Sequence, residues 1–166
     1  MLGDSVPGPF PFYKSRFEAE KSLTVRILKA IPTDALDYRP HPRSASAGEI
    51  AWTIVRGMHV RVDMVSRGSS DVVRTRHPVL EEILLRFEDA TREHLEQLQA
   101  LPAEQWSRKG ELRVGNRIAL DQPVGDIVWF FHFDEIHHRG QLSTYLRPMG
   151  ARVPSIYGPS GDTNLP

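Results

Sequence analysis

A four-helix bundle is the fold class this sequence predicts, and three observations predict it. Apolar residues recur at three- and four-residue spacing in four separate segments. A proline or glycine closes each of those segments. At 166 residues, the chain has the length of one domain with a sizeable core. The expected class is therefore all-α, with the stretch between the third and fourth helices open to a short hairpin or an ordered loop.

The elements follow in order. The opening "MLGDSVPGPFPFYK" carries three prolines and two glycines in its first eleven residues, so 1–14 is expected to be an irregular leader. It lacks a basic start followed by an apolar run, so it is not expected to be a signal peptide. The bundle domain is expected over 15–150 and an extended tail over 151–166. From Ser15 to Ile31, Phe17, Glu20, Thr24, Ile27 and Ile31 fall on one stripe with Leu23 and Leu28, and Pro32 stops the helix. A second helix, near 46–67, opens with Ser46 as N-cap and Glu49 three residues on, a capping box. The third, near 78–101, is the clearest: Leu80, Ile83, Leu84, Phe87, Thr91, Leu95 and Leu98 share one face, and Pro102 ends it. The connection "WSRKGELRVGNRIALDQP" alternates weakly around Val114, Gly115 and Asn116. The fourth helix, near 123–147, starts at a proline suited to a first turn and ends before Pro148 and Gly150.

Charge and composition exclude several function classes. Lys plus Arg and Asp plus Glu number 21 each, so there is no basic excess to attract nucleic acid. No run of about 18 apolar residues exists to span a membrane, and the cytoplasm is the expected compartment. The chain has no cysteine, so it offers neither a thiolate nucleophile nor a thiolate metal ligand. A transition-metal site would rest on imidazole and carboxylate.

The stretch "FHFDEIHHRGQLSTYLRPMG" concentrates such groups. Asp134 and His138 stand four residues apart, one above the other on a helix, with His137 at the edge of that face. Ile127, Phe131, Gln141 and Tyr145 extend the stripe, so both groups are expected to face the interior. Facing carboxylates and histidines build metal sites in bundle cores, whereas the same pair is also an ordinary helix salt link. His132 and His137 are expected to face solvent or serve in packing. His94 falls on the apolar stripe of the third helix as a buried or half-buried core histidine. His59 points away from the interior stripe of the second helix, and His41 and His77 precede prolines in connections.

"HHRGQLSTYLRPMG" and "YRPHPRSASAGEIAWTIV" resemble two segments of the DinB/YfiT-like family of damage-inducible bacterial proteins, over roughly 15 to 158. The signature His-x-x-x-His-Arg-Gly-Gln matches at His138, Arg139, Gly140 and Gln141. The resemblance implies a four-helix bundle, often a homodimer, with a divalent zinc or nickel ion on three histidines, one from the second helix and two from the fourth. It also implies, for some members, transferase or isomerase chemistry with a small thiol cofactor. Carried over by position, the metal ligands fall on Thr53, Asp134 and His138, of which one is still histidine. Two readings follow. One is a metal-dependent enzyme, thiol-transferase-like or hydrolase-like, with a weakened metal site. The other is a non-catalytic bundle, stress-related or small-molecule-binding, that has lost the metal chemistry. On either, Asp134 and His138 are expected to converge near Thr53 and to bind metal weakly or not at all. Arg139 is read as a substrate-anion contact or a surface ion pair, Gly140 as a point of close helix packing, and Gln141 as a hydrogen-bonding neighbour of the site.

Overall fold

The computed structural model describes residues 10–163. Its helices are α1 (Phe10–Lys29), α2 (Ala47–Arg67), α3 (Leu80–Ala100) and α4 (Val124–Leu146). Three short strands join them: β1 (Ser69–Asp71), β2 (Lys109–Val114) and β3 (Arg117–Pro123). The sheet runs β1-β2-β3, with β1 parallel to β2 and β2 antiparallel to β3. The four expected helices are present, and the expectation of a purely all-α chain is corrected by this sheet. The hairpin alternative is the one realised between α3 and α4. Its turn is made by Gly115, whose φ of 59° suits a residue without Cβ. β1 lies in what reads as loop: Gly68 ends α2 in the left-handed conformation at φ 74°, and the chain turns directly alongside β2. Arg108 donates to the carbonyls of Met64 and Val65 at 2.9 and 2.7 Å, satisfying the end of α2 from the base of the hairpin.

α1 begins at Phe10, five residues before the expected start, so residues 10–14 are not leader; residues 1–9 and 164–166 lie outside the described region. Pro11, read as a breaker, sits in the first helical turn, where its missing N–H is not needed. That turn is held by Trp106, whose ring lies 5.1 Å from Phe10 and 5.0 Å from Tyr13. The nitrogen-bearing ring of Trp106 also rests on Gly125, where a Cβ would collide with the indole. Ser46 and Glu49 form the expected capping box reciprocally, at 3.2 and 2.7 Å. The core gathers Phe17, Ile27, Ile50, Ile54, Met58, Ile83, Phe87, Ile127 and Leu142, each at most 1% exposed. The tail over 151–163 has no regular secondary structure and is pinned to α4 by Arg147 and Asp162, 3.0 Å apart. No helix among the described residues is long and apolar enough to cross a membrane.

Candidate functional site

α4 does not turn the expected line inward. Its buried residues are Val124, Gly125, Ile127, Val128, His132, Glu135, Arg139, Leu142, Tyr145 and Leu146, so along its middle the core-facing stripe lies about one residue off the Asp134–His138 line. Asp134 and His138 sit half-buried on the shoulder, with side chains 30% and 22% exposed. His138 Nε2 lies 3.4 Å from Asp134 Oδ1, and its Nδ1 is 3.1 Å from Gln141 Oε1, the neighbour role expected for Gln141. A glycine at 57 admits the Phe131 ring against α2, and Tyr145 donates to the Ala45 carbonyl at 3.2 Å. These two contacts bracket Thr53 on α2 and Asp134 with His138 on α4 at a common level of the bundle.

Thr53 is already occupied. Its hydroxyl donates to the Glu49 carbonyl at 2.8 Å and accepts from Arg56 Nη2 at 3.0 Å. A neutral hydroxyl so engaged, with a guanidinium beside it, is a poor ligand for a divalent ion. Among the described residues, no group of three His, Cys, Asp or Glu side chains could hold a metal. The residues present therefore do not fit a centre with three protein ligands.

Beneath this shoulder lies a charged cluster in the core that periodicity missed. Arg61 of α2, 0% exposed, pairs with Glu135 of α4, 2% exposed. Burial would depress the Arg61 guanidinium, but Glu135 and Tyr13 oppose it and hold it above its ordinary value. Arg61 also lies 3.3 Å from His132 Nδ1 and over the Phe17 ring at 5.2 Å. Glu135 accepts from Thr24 at 2.5 Å. Thr24 in turn accepts from Arg139 at 3.3 Å, and Arg139 donates to Glu20 at 2.6 Å. The Tyr157 hydroxyl closes the cluster against Arg139 and Glu20 at 2.6 and 2.7 Å. Arg139 is thus in a buried ion pair with Glu20, not the surface pair expected as one alternative. Gly140 is exposed with open space around it, not a packing point.

Burial, followed by the Arg61 charge, lowers His132 to about 4. An imidazole so depressed is neutral and accepts from Arg61 at Nδ1. His94 is the core histidine expected. Its Nε2 lies 2.8 Å from the Tyr13 hydroxyl, and burial first, then Arg61, lowers it well below the usual imidazole range. Burial pushes Tyr13 up to about 12, so the phenol keeps its proton. His137, His59 and His41 are exposed. The cluster had one sequence signal: Glu20 and Thr24 share the apolar stripe of α1, and a carboxylate there needs a buried cation.

A four-helix bundle with this course is the fold of the solved structures this chain resembles. The DinB family model matches residues 12–163, and the chain belongs to that family. It is 25% identical over 155 residues to YrdA of Bacillus subtilis, covering 90% of this chain and 87% of that protein. A DinB-like protein from Bacillus cereus superposes with a TM-score of 0.71 at 19% identity, over 86% of this chain and 94% of that one. YjoA of Bacillus subtilis superposes at 0.67 with 22% identity, over 86% and 95%. A mycothiol-dependent maleylpyruvate isomerase shares the fold at a TM-score of 0.55 and 7% identity, over 90% of this chain and 66% of that one.

Proposed function

We propose that this chain is a small-molecule-binding DinB protein whose site between α2 and α4 works without a metal held by three protein ligands. The observation that carries this reading is the state of Thr53, its hydroxyl bonded to the Glu49 carbonyl and to Arg56. The buried charges of α4 support it as well, since Glu135 and Arg139 are engaged in structural pairs and are not available to a substrate. Metal analysis of protein purified without a chelating tag tests the reading. Well under one equivalent of zinc or nickel is expected, and Thr53→His with Asp134→His should bring the content to one equivalent. A full equivalent in the parent, lost in His138→Ala, would overturn the proposal.

A second reading has its own observation. The 3.4 Å between His138 Nε2 and Asp134 Oδ1 suits two ligands sharing one ion at about 2.0–2.2 Å. A metal-dependent, thiol-using enzyme would rest on that pair, as the likeness in fold to the mycothiol-dependent isomerase suggests. The same metal analysis separates the two readings.

A further inference from the structure

Beside Thr53, a cavity of about 420 Å³ opens between the outer face of α2 and the segment entering α3. Its volume is that of a small-molecule pocket. Trp52, Thr53 and Arg56 line it from α2, and Arg74, Thr75 and His77 from the opposite side. Among the described residues, neither Arg56 nor Arg74 has a carboxylate within ion-pairing distance, and Arg56 Nε is buried with no hydrogen-bond partner. The two arginines are close enough that Arg74, after burial, adds to the lowering of Arg56. Two like charges facing one cavity repel, and an anion between them relieves that repulsion.

The remaining groups fit the same occupant. Glu49, the one carboxylate in the lining, is fixed elsewhere: the Ser46 backbone and Arg39 hold it below the usual carboxylate range. Trp52 Nε1 donates to Thr75 Oγ1 at 2.9 Å, which leaves the Thr75 hydroxyl hydrogen free to point into the cavity. The His77 ring is pressed on the backbone of α2, where a Cβ on Gly48 would meet it at 2.7 Å. Trp52 and Ala45 supply apolar wall.

We infer that this cavity binds a small organic anion, a carboxylate or phosphate monoester with an apolar body, clamped by Arg56 and Arg74 and donated to by Thr75. Planar guanidinium forks match both head groups. The inference goes beyond the proposed function, since no residue of α4 lines this cavity, and it rests on that reading only for the absence of a metal at Thr53.

Isothermal titration of the full chain with phenyl phosphate, benzoate and neutral benzyl alcohol tests it, with and without EDTA. At least one anion binds and benzyl alcohol does not; which anion binds more tightly identifies the head group. Arg56→Gln and Arg74→Gln, each confirmed folded by circular dichroism, weaken binding about tenfold or more, which is about 1.4 kcal/mol each. The double variant abolishes it. The inference is overturned if neither anion binds, or if the double variant binds like the parent. EDTA separates the two proposals. Binding that survives EDTA but needs the arginines supports both. Binding that EDTA removes, while the arginine variants behave like the parent, overturns both. Arginine-dependent binding in protein carrying a full equivalent of metal keeps the anion site and refutes only the metal-free reading.

Discussion

Glu135→Leu is the perturbation that most directly examines the charged core. The substitution puts an apolar side chain of similar size in its place and leaves Arg61, 0% exposed, without its carboxylate. It also removes the 2.5 Å acceptor of Thr24. Stranding one partner of a buried ion pair costs about 3–5 kcal/mol. For a chain of this length, each kcal/mol moves the melting temperature by roughly 2–4 °C, so a fall of roughly 6–20 °C is expected. Thermal unfolding at neutral pH, followed by far-ultraviolet circular dichroism, measures the fall, and urea denaturation measures the free-energy cost. Arg61→Met with Glu135→Leu should recover most of the loss, because no charge is then stranded. A Glu135→Leu cost below about 1 kcal/mol would refute the reasoning. So would a double variant as unstable as the sum of its singles, since the two groups would then not be coupled.

The core histidines make stability depend on acid. His132 is neutral in the fold down to about 4 and burial holds His94 well below the usual imidazole range, whereas both take a proton near 6.5 when unfolded. The unfolded chain therefore binds more protons below about pH 6.5, and stability falls with pH from there toward 4, by up to about 1.4 kcal/mol per unit for each histidine. Denaturation midpoints across that window should show the slope, and His132→Asn should roughly halve it; a flat profile counts against the burial of both rings. Tyr157→Phe removes the hydroxyl that meets Arg139 and Glu20. Because the ring is largely exposed, the expected cost is about 1 kcal/mol, with faster proteolytic clipping of the tail; unchanged clipping would mean the tail is held by other contacts. The homodimer proposed from the family resemblance should appear in light scattering at tens of micromolar, with the exposed Phe130 and Phe133 available for the interface. A monomer there contradicts it.

The helices were legible because each carries its own stop and start: Pro32, the Ser46–Glu49 box, Gly68, Pro102 and Pro123. β1 was not, since three residues of "SSD" become a strand only because β2 lies alongside. On α4, the sequence misled by treating charge as surface. Phe131 and Ile127 drew the inward line through Asp134 and His138, while the buried stripe runs through His132, Glu135 and Arg139. Those three look polar until their partners Arg61, Thr24 and Glu20 are brought near by the fold. Pro11 misled in the opposite sense, because a proline marks a helix boundary from either side. For Thr53, a hydroxyl where the resemblance implies a histidine is readable in sequence, whereas its bond to Arg56 depends on a rotamer that spacing does not encode.

The charged core also imposes an order of events on synthesis. Glu20 meets Arg139 across 119 residues, Thr24 meets Glu135 across 111, and Tyr13 meets His94 across 81. A ribosome that has released α1, α2 and α3 has made Arg61 with no counterion yet, and Glu20 with only the half-exposed Arg16 of its own helix, so those helices lack the partners on α4 that let them close. Compaction then waits on α4 as a late, long-range event. Force measurements with an arrest peptide placed at successive lengths should show one pulling maximum, after α4 clears the exit tunnel. An earlier maximum, with only three helices outside, would mean that the first helices settle without their charges neutralised.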